Sequence, residues 1–333
     1  MAKKERHIII IRLSALGDVA IAAPLIREYA IKNKKIKFSI VSQPKLEPFF
    51  AGIDNITFIP YKKSKLDLIS NFKFAHSLLK LKPTEVADFH NVLRSKIIRN
   101  YLNLHGIPFE SIDKNRDNKR KLIRKNNKIL VPLKTSLRLY EEVLIRLGLK
   151  DLNFANTPVV TAPKGKYQYR RIGIAPFAMH KGKCWPLEYM EKVISELSKD
   201  PNIKIILFGG KGKESELLEL LAKRYNNTES VAGKYTLEEE LEFIKSLDVM
   251  VSMDSANMHF ASFVNTPVIS IWGATHPYAG FYGWGQNPNN AIQTNLPCRP
   301  CSIFGDKECL RGDYACMRNI MPEEVLKKIY ELL

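Results

Sequence analysis

The sequence predicts an α/β protein made of two doubly wound parallel sheets, and three observations carry that prediction. Short β-branched runs alternate with amphipathic stretches from end to end, the pattern of parallel strands joined by crossover helices. The 333 residues exceed the length at which one core stops growing, so two domains are expected. The alternation pauses at TAPKGKYQYRR, residues 161–171, a polar stretch that reads as a linker. Sheets of this kind bind ligands outside the carboxyl ends of their strands, here in a cleft between the domains.

In the first domain, taken as 1–165, strands are expected at 7–13, 37–41, 56–59 and 86–89, with helices at 19–30, 72–81, 94–104 and 136–147. Residues 113–128, DKNRDNKRKLIRKNNK, hold almost nothing apolar and read as an exposed basic loop, either a solvated excursion or a binding element. The second domain, 166–333, repeats the alternation. Strands are expected at 172–175, 204–208, 249–253 and 268–272, and helices at 187–198, 214–225, 237–246 and 257–264. Thr236 with Glu239 three residues on forms a capping box. Pro322, Glu323 and Glu324 open a terminal helix, 322–333, that is free to pack back on the first domain.

Charge separates the halves. The net charge of +18 divides into +17 for residues 1–160 and +1 for 161–333, so the first half is expected to meet something anionic. The basic residues are not interleaved with aromatics and no helix-turn-helix or RNA-recognition pattern is visible, which sets nucleic acid aside as a partner. Five cysteines are too few for a disulfide scaffold and point to a reducing compartment. The start, MAKKERHIIIIRLSALGDVAIAAP, imitates a signal peptide, but Arg12 and Asp18 interrupt its apolar run. No window reaches the roughly 18 uninterrupted apolar residues of a membrane helix. A soluble, cytoplasmic chain is expected.

Three polar clusters fall at strand ends. In RLSALGD, residues 12–18, Asp18 stands where the first strand gives way to a helix, an active-site address that is equally a place for an N-cap, with Gly17 easing the turn. The loop lacks the Gly-x-Gly-x-x-Gly of a dinucleotide site. In HKGKCWP, residues 180–186, Lys181 and Lys183 precede a helix start, where cations and free backbone amides can hold a phosphate; a solvated lysine pair is the plain alternative. In MDSANMHF, residues 253–260, a strand ends in Asp254, and Ser255, Ala256 and His259 lie at a helix start suited to a pyrophosphate. Taken singly, Asp254 reads as a cap and His259 as a packed histidine.

RLSALGD, KCWP and MDSANMHFASFVNTPVISIWGATHP, with DFHNVLRS at 88–95 and CMRNIMPEEV at 316–325, resemble in order and separation glycosyltransferase family 9, the ADP-heptose:lipopolysaccharide heptosyltransferases. The resemblance spans nearly the whole chain and implies a GT-B fold, two Rossmann-like domains with acceptor on the first and nucleotide-sugar donor on the second. It implies inverting transfer of a heptose from ADP-heptose to a hydroxyl of the lipopolysaccharide inner core, with no cofactor for the chemistry. Asp18 aligns with the catalytic base and Lys183 with the lysine that steadies the departing pyrophosphate. Asp254, Ser255, Ala256 and His259 fall on the donor-phosphate motif, Glu214 on a ribose contact and Tyr235 near the adenine. Ser14, Gly17 and Arg94 fall on the acceptor side, and the basic first domain suits an anionic acceptor and peripheral contact with an anionic membrane face. The chain departs from the family at Ala256, where glycine is usual, and at Ala178 and Met179, where small hydroxyl residues are common. Another nucleotide sugar or another surface glycan on the same fold is the alternative.

Cys298, Cys301, Cys309 and Cys316 have the ligand number of a tetrahedral zinc site, although the second pair lacks the short spacing of a zinc knuckle. Structural zinc and free thiols both stay open on spacing.

Overall fold

Ile8, Ile9, Ile10 and Ile11 have no exposed surface, as expected of β-branched residues in a strand covered on both faces. They belong to β1 (Arg6–Ile11), the centre of the first sheet in the computed structural model, which describes residues 5–62, 68–156 and 168–333. The chain continues through α1 (Leu16–Lys32), β2 (Ile36–Ser42), β3 (Ile56–Pro60), α2 (Leu68–Leu79), β4 (Glu85–Asp88), α3 (Leu93–Leu104) and β5 (Phe109–Ser111). The strand order is β3-β2-β1-β4-β5, every pair parallel. Strand order reverses between β1 and β4, whose ends lie level at Ile11 and Asp88. That switch point is where a doubly wound sheet opens a ligand crevice.

The next two helices, α4 (Arg116–Leu122) and α5 (Ser136–Arg146), go to different places. The chain forms two compact units, one from Met1–Lys114 with Ser136–Ala155, the other from Asn115–Thr135 with Asn156–Leu333. The expected junction at 165/166, with most of the predicted linker, lies outside the described residues. Residues 113–128 are not the open loop that their composition suggests. α4 occupies part of them, and Leu122 is fully buried beside Ala279 and Ile303. Lys128 Nζ donates to the carbonyls of Cys298 and Pro300 at 2.8 and 2.9 Å. A handful of apolar side chains, Leu122, Ile123 and Leu133, suffices to seat the segment, because its partner surface comes from distant sequence.

The second unit runs β6 (Arg170–Ala175), α6 (Leu187–Leu197), β7 (Ile203–Leu207), α7 (Lys213–Arg224), β8 (Thr228–Ser230), α8 (Leu237–Lys245), β9 (Val249–Met253), α9 (Ala256–Phe263), β10 (Val268–Trp272), β11 (Ala291–Gln293), α10 (Ala315–Arg318) and α11 (Pro322–Leu332). Its sheet has the order β11-β10-β9-β6-β7-β8, again parallel throughout. The reversal here is between β6 and β9. Thr236 and Glu239 close the expected capping box, the Glu239 carboxylate accepting from the Thr236 N–H at 2.8 Å. The terminal helix does not need the first unit for its core: Val325 and Ile329 are fully buried in the same cluster as Ile172, Ile174 and the α6 residues Val193 and Ile194. Among the described residues, no helix is long and apolar enough to cross a membrane.

Candidate active site

In the first unit the chemistry gathers past the ends of β1 and β4. Ala15 occupies the N-cap of α1 and Asp18 is its third residue, so Asp18 is not the N-cap. Its hold on the helix start is a long 3.4 Å contact from the Ala15 N–H to Oδ2. The firmer partner is Arg12, whose Nη2 lies 2.5 Å from the same oxygen. Arg12 is 7% exposed; its Nη1 donates to the Phe89 carbonyl at 2.9 Å and its guanidinium lies 5.7 Å from the centre of the Tyr140 ring. The Asp18 side chain keeps 30% of its surface exposed. A carboxylate pinned through one oxygen, with open surface remaining, has acceptor capacity left for a proton on a ligand. Gly17 sits inside the first turn of α1, so easing a turn is not its task, and Ser14 precedes the helix, joined to Ala15 by a cis peptide.

The loop after β4 is organised by a single buried carboxylate. Asp88 has no exposed surface, and its Oδ1 accepts from the backbone N–H groups of His90 and Asn91 at 2.9 and 2.8 Å. Its Oδ2 accepts from Ser95 Oγ at 3.0 Å and Arg99 Nη1 at 2.9 Å. Four donors are what a buried carboxylate needs to remain charged without a large desolvation penalty. They hold the backbone that carries His90 and leads into Arg94, the second residue of α3. Burial, with Arg12, Lys114 and Arg94 nearby, pushes the His90 imidazole down to about 3. Arg12, Asp88 and His90 lie inside RLSALGD and DFHNVLRS, but motif resemblance alone gives them no role, although a cation directly after four isoleucines is a visible anomaly.

In the second unit the loops after β6, β9 and β10 converge. Lys183 Nζ lies 2.8 Å from Asp254 Oδ2, the two side chains only 16% and 4% exposed, and Thr275 Oγ1 donates to the same oxygen at 2.8 Å. Two glycines allow the lysine loop to dock: the Gly182 carbonyl accepts from the Ala274 N–H at 2.8 Å, and a Cβ on Gly273 would stand 2.6 Å from that carbonyl oxygen. Cys184 Sγ donates back to the Ala178 carbonyl at 3.3 Å, while Met179 is 88% exposed.

Ser255 is the N-cap of α9 but makes no side-chain cap; its Oγ lies 3.1 Å from Ser252 Oγ. Ala256 opens the helix and His259, one turn in, is 7% exposed. Backbone N–H groups at such a start are anion donors. Glu214 Oε2 instead accepts from the Gly210 N–H at 2.7 Å on its own loop, and Tyr235, 41% exposed, packs its ring 4.6 Å from Phe243. The structure thus joins Lys183 and Asp254 directly and leaves Glu214 in the first turn of α7 and Tyr235 on the loop after β8.

Cys298, Cys301, Cys309 and Cys316 line one cavity with Arg299 and Tyr314. Among the described residues no group of three or more His, Cys, Asp or Glu side chains is placed to hold a metal ion, and the four cysteines stand as free thiols. Cys316 is 6% exposed in the apolar core, and burial pushes its thiol up to about 11 and that of Cys301 upward as well. Arg299 fills the neighbourhood, donating to the carbonyls of Trp272 and Thr275 at 3.2 and 3.0 Å. It braces the loop that bears Thr275.

Residues 147–310 match the family model described as glycosyltransferase family 9 (heptosyltransferase). The chain carries a glycosyltransferase family 9 domain. A lipopolysaccharide heptosyltransferase 1 of Campylobacter coli is 28% identical to this family 9 chain over 350 aligned positions, covering 98% of each. A family 9 structure from Veillonella parvula superposes with a TM-score of 0.73 at 17% identity, covering 100% of this chain and 98% of that one. An E. coli heptosyltransferase crystallised with ADP-2-deoxy-2-fluoro heptose does so with 0.69 at 17% identity, covering 98% and 100%. The structural likenesses establish the GT-B fold class, and the family match makes this chain a glycosyltransferase of the heptosyltransferase group.

Proposed function

We propose that this family 9 chain moves a heptose from ADP-heptose to a hydroxyl of the lipopolysaccharide inner core, with inversion at the anomeric carbon. The donor belongs on the second unit. Lys183, with three N–H donors of which Asp254 takes one, and the uncapped start of α9 supply cation and backbone amides for a diphosphate. The acceptor belongs on the first unit, whose half of the sequence carries +17; the same charge suits an anionic membrane face. Asp18 takes the proton of the acceptor hydroxyl as its oxygen bonds to the anomeric carbon. The bond from that carbon to the diphosphate oxygen breaks on the opposite side, and Lys183 stabilises the charge left on ADP.

The observation that carries this reading is the Asp18 carboxylate itself, part-exposed and pinned by a buried arginine at the switch point of the sheet. Its test is Asp18→Asn with a panel of nucleotide sugars. The variant is expected to fold and bind ADP as wild type and to lose at least a factor of about 100 in kcat, as general-base removal does; near-wild-type turnover rejects Asp18 as base. Use of a different nucleotide sugar by the wild type would keep the mechanism and change the donor.

A further inference from the structure

His90 stands beside the Arg12–Asp18 pair with no role in the transfer chemistry above. Phe89, its neighbour in sequence, is tied to β1 on both sides, its N–H donating to the Ile11 carbonyl at 3.1 Å and its carbonyl accepting from Arg12. The backbone of His90 is fixed by Asp88. The backbone that carries the ring therefore has a defined place. Its Nδ1 is buried and has no hydrogen-bond partner among the described residues, while Nε2 is not among the buried orphan atoms.

The ring faces Arg12 from the end of β1, Asp18 from α1, Arg94 from α3 and Lys114 from the segment after β5. Three cations against one carboxylate leave a positive field. An N–H at buried Nδ1 would have no acceptor and would point into that field, whereas a lone pair there is stabilised by it. The proton belongs on Nε2, so the neutral ring presents its donor there. Nothing in a proton-transfer role calls for this, since Asp18 already supplies the base. A donor in that positive field, beside Arg94, suits an oxyanion.

We propose that His90 is an acceptor-binding residue, its Nε2–H donating to a carboxylate or phosphate oxygen of the acceptor saccharide beside Asp18. This rests on the transferase reading above. Arg94 supplies the formal charge of the subsite and His90 its direction, from a backbone that the Asp88 carboxylate fixes.

Steady-state kinetics of His90→Leu and His90→Gln, with a heptose-deficient lipooligosaccharide as acceptor, test this. His90→Leu is expected to raise the acceptor KM by about tenfold or more, the loss of one hydrogen bond to a charged group. Donor KM should stay within about twofold by the same reasoning, and His90→Gln, which keeps an amide donor, should restore most of the acceptor affinity. Dephosphorylated and carboxyl-reduced acceptors identify the oxyanion: the one whose removal erases the difference between wild type and His90→Leu is the ligand. Nitrogen-15 NMR of the wild type should show Nδ1 unprotonated and Nε2 protonated, unchanged between pH 5.5 and 8. An acceptor KM unaltered in His90→Leu, or a proton on Nδ1, overturns the assignment. A wild-type chain that transfers no sugar would sink the transferase reading instead and leave the NMR result to judge the tautomer by itself.

Discussion

Lys183 and Asp254 illustrate how one contact serves fold and chemistry together. With both side chains nearly buried, deleting the lysine leaves a carboxylate that retains the Thr275 hydroxyl but loses its cation. Lys183→Ala should therefore weaken ADP binding by about tenfold or more, measured by calorimetric titration, and lower stability by roughly 1–3 kcal/mol in denaturant melts. Acceptor KM should barely move; the opposite pattern would count against the donor assignment. Asp88 makes the harsher case, because its charge holds Arg99, which is 9% exposed, and two backbone amides. Asp88→Asn keeps the shape and removes the charge, and a cost of about 3–5 kcal/mol is expected from the stranded guanidinium. Equal unfolding midpoints for variant and wild type would show that Arg99 finds another partner.

At the scale of elements, loops rather than helices or strands bring Lys183, Asp254 and Thr275, the proposed donor site, together. The segment 180–183 reaches its position because Gly182 and Gly273 let two backbones touch, with the Met317 side chain packed just as closely on Gly273. Gly305, at φ +79, does the same for the Lys183 stem: a Cβ there would lie 2.7 Å from Lys183 Cγ. Gly273→Ala should cost about 1–3 kcal/mol through overpacking and reduce ADP affinity by displacing Lys183, with acceptor KM unchanged. An alanine variant with wild-type ADP affinity would mean that the lysine loop reaches its place without this contact. The strands were legible because long β-branched runs between turns have few other fates. β5, β8 and β11 span three residues each, too short for any alternation to register, and α4 was hidden by its charge. Each is held by neighbours that no local pattern reveals.

At the scale of the whole molecule, acid sensitivity is expected above the range where carboxylates protonate. Burial pushes His90 down to about 3, His276 down to about 4 and His7 downward. Their unfolded counterparts titrate near ~6.5, so the unfolded chain binds more protons below that pH. Stability from these groups is complete above about pH 6.5 and drains away as pH falls toward the folded values, by up to ~1.4 kcal/mol per pH unit for each histidine. The His276 Nδ1 accepts from the Tyr278 N–H at 3.1 Å, a bond that protonation removes. Thermal melts should be flat from pH 8 to about 7 and fall between about 6.5 and 5, and His276→Asn, which can still accept from that N–H, should flatten the slope. A constant melting temperature down to pH 5 would refute this.

The sequence by itself determined that the chain is doubly wound α/β, where its long strands and helices lie, and that Asp18, Lys183 and Asp254 stand at strand ends, because apolar periodicity and turn chemistry act over a few residues and are written locally. Only the tertiary structure decided that Arg12 grips Asp18, that Lys183 meets Asp254, that the basic segment 113–128 is seated by Leu122, and that four cysteines share a cavity. Those outcomes depend on which side chains a parallel sheet brings together across long separations, which no local pattern in the sequence records.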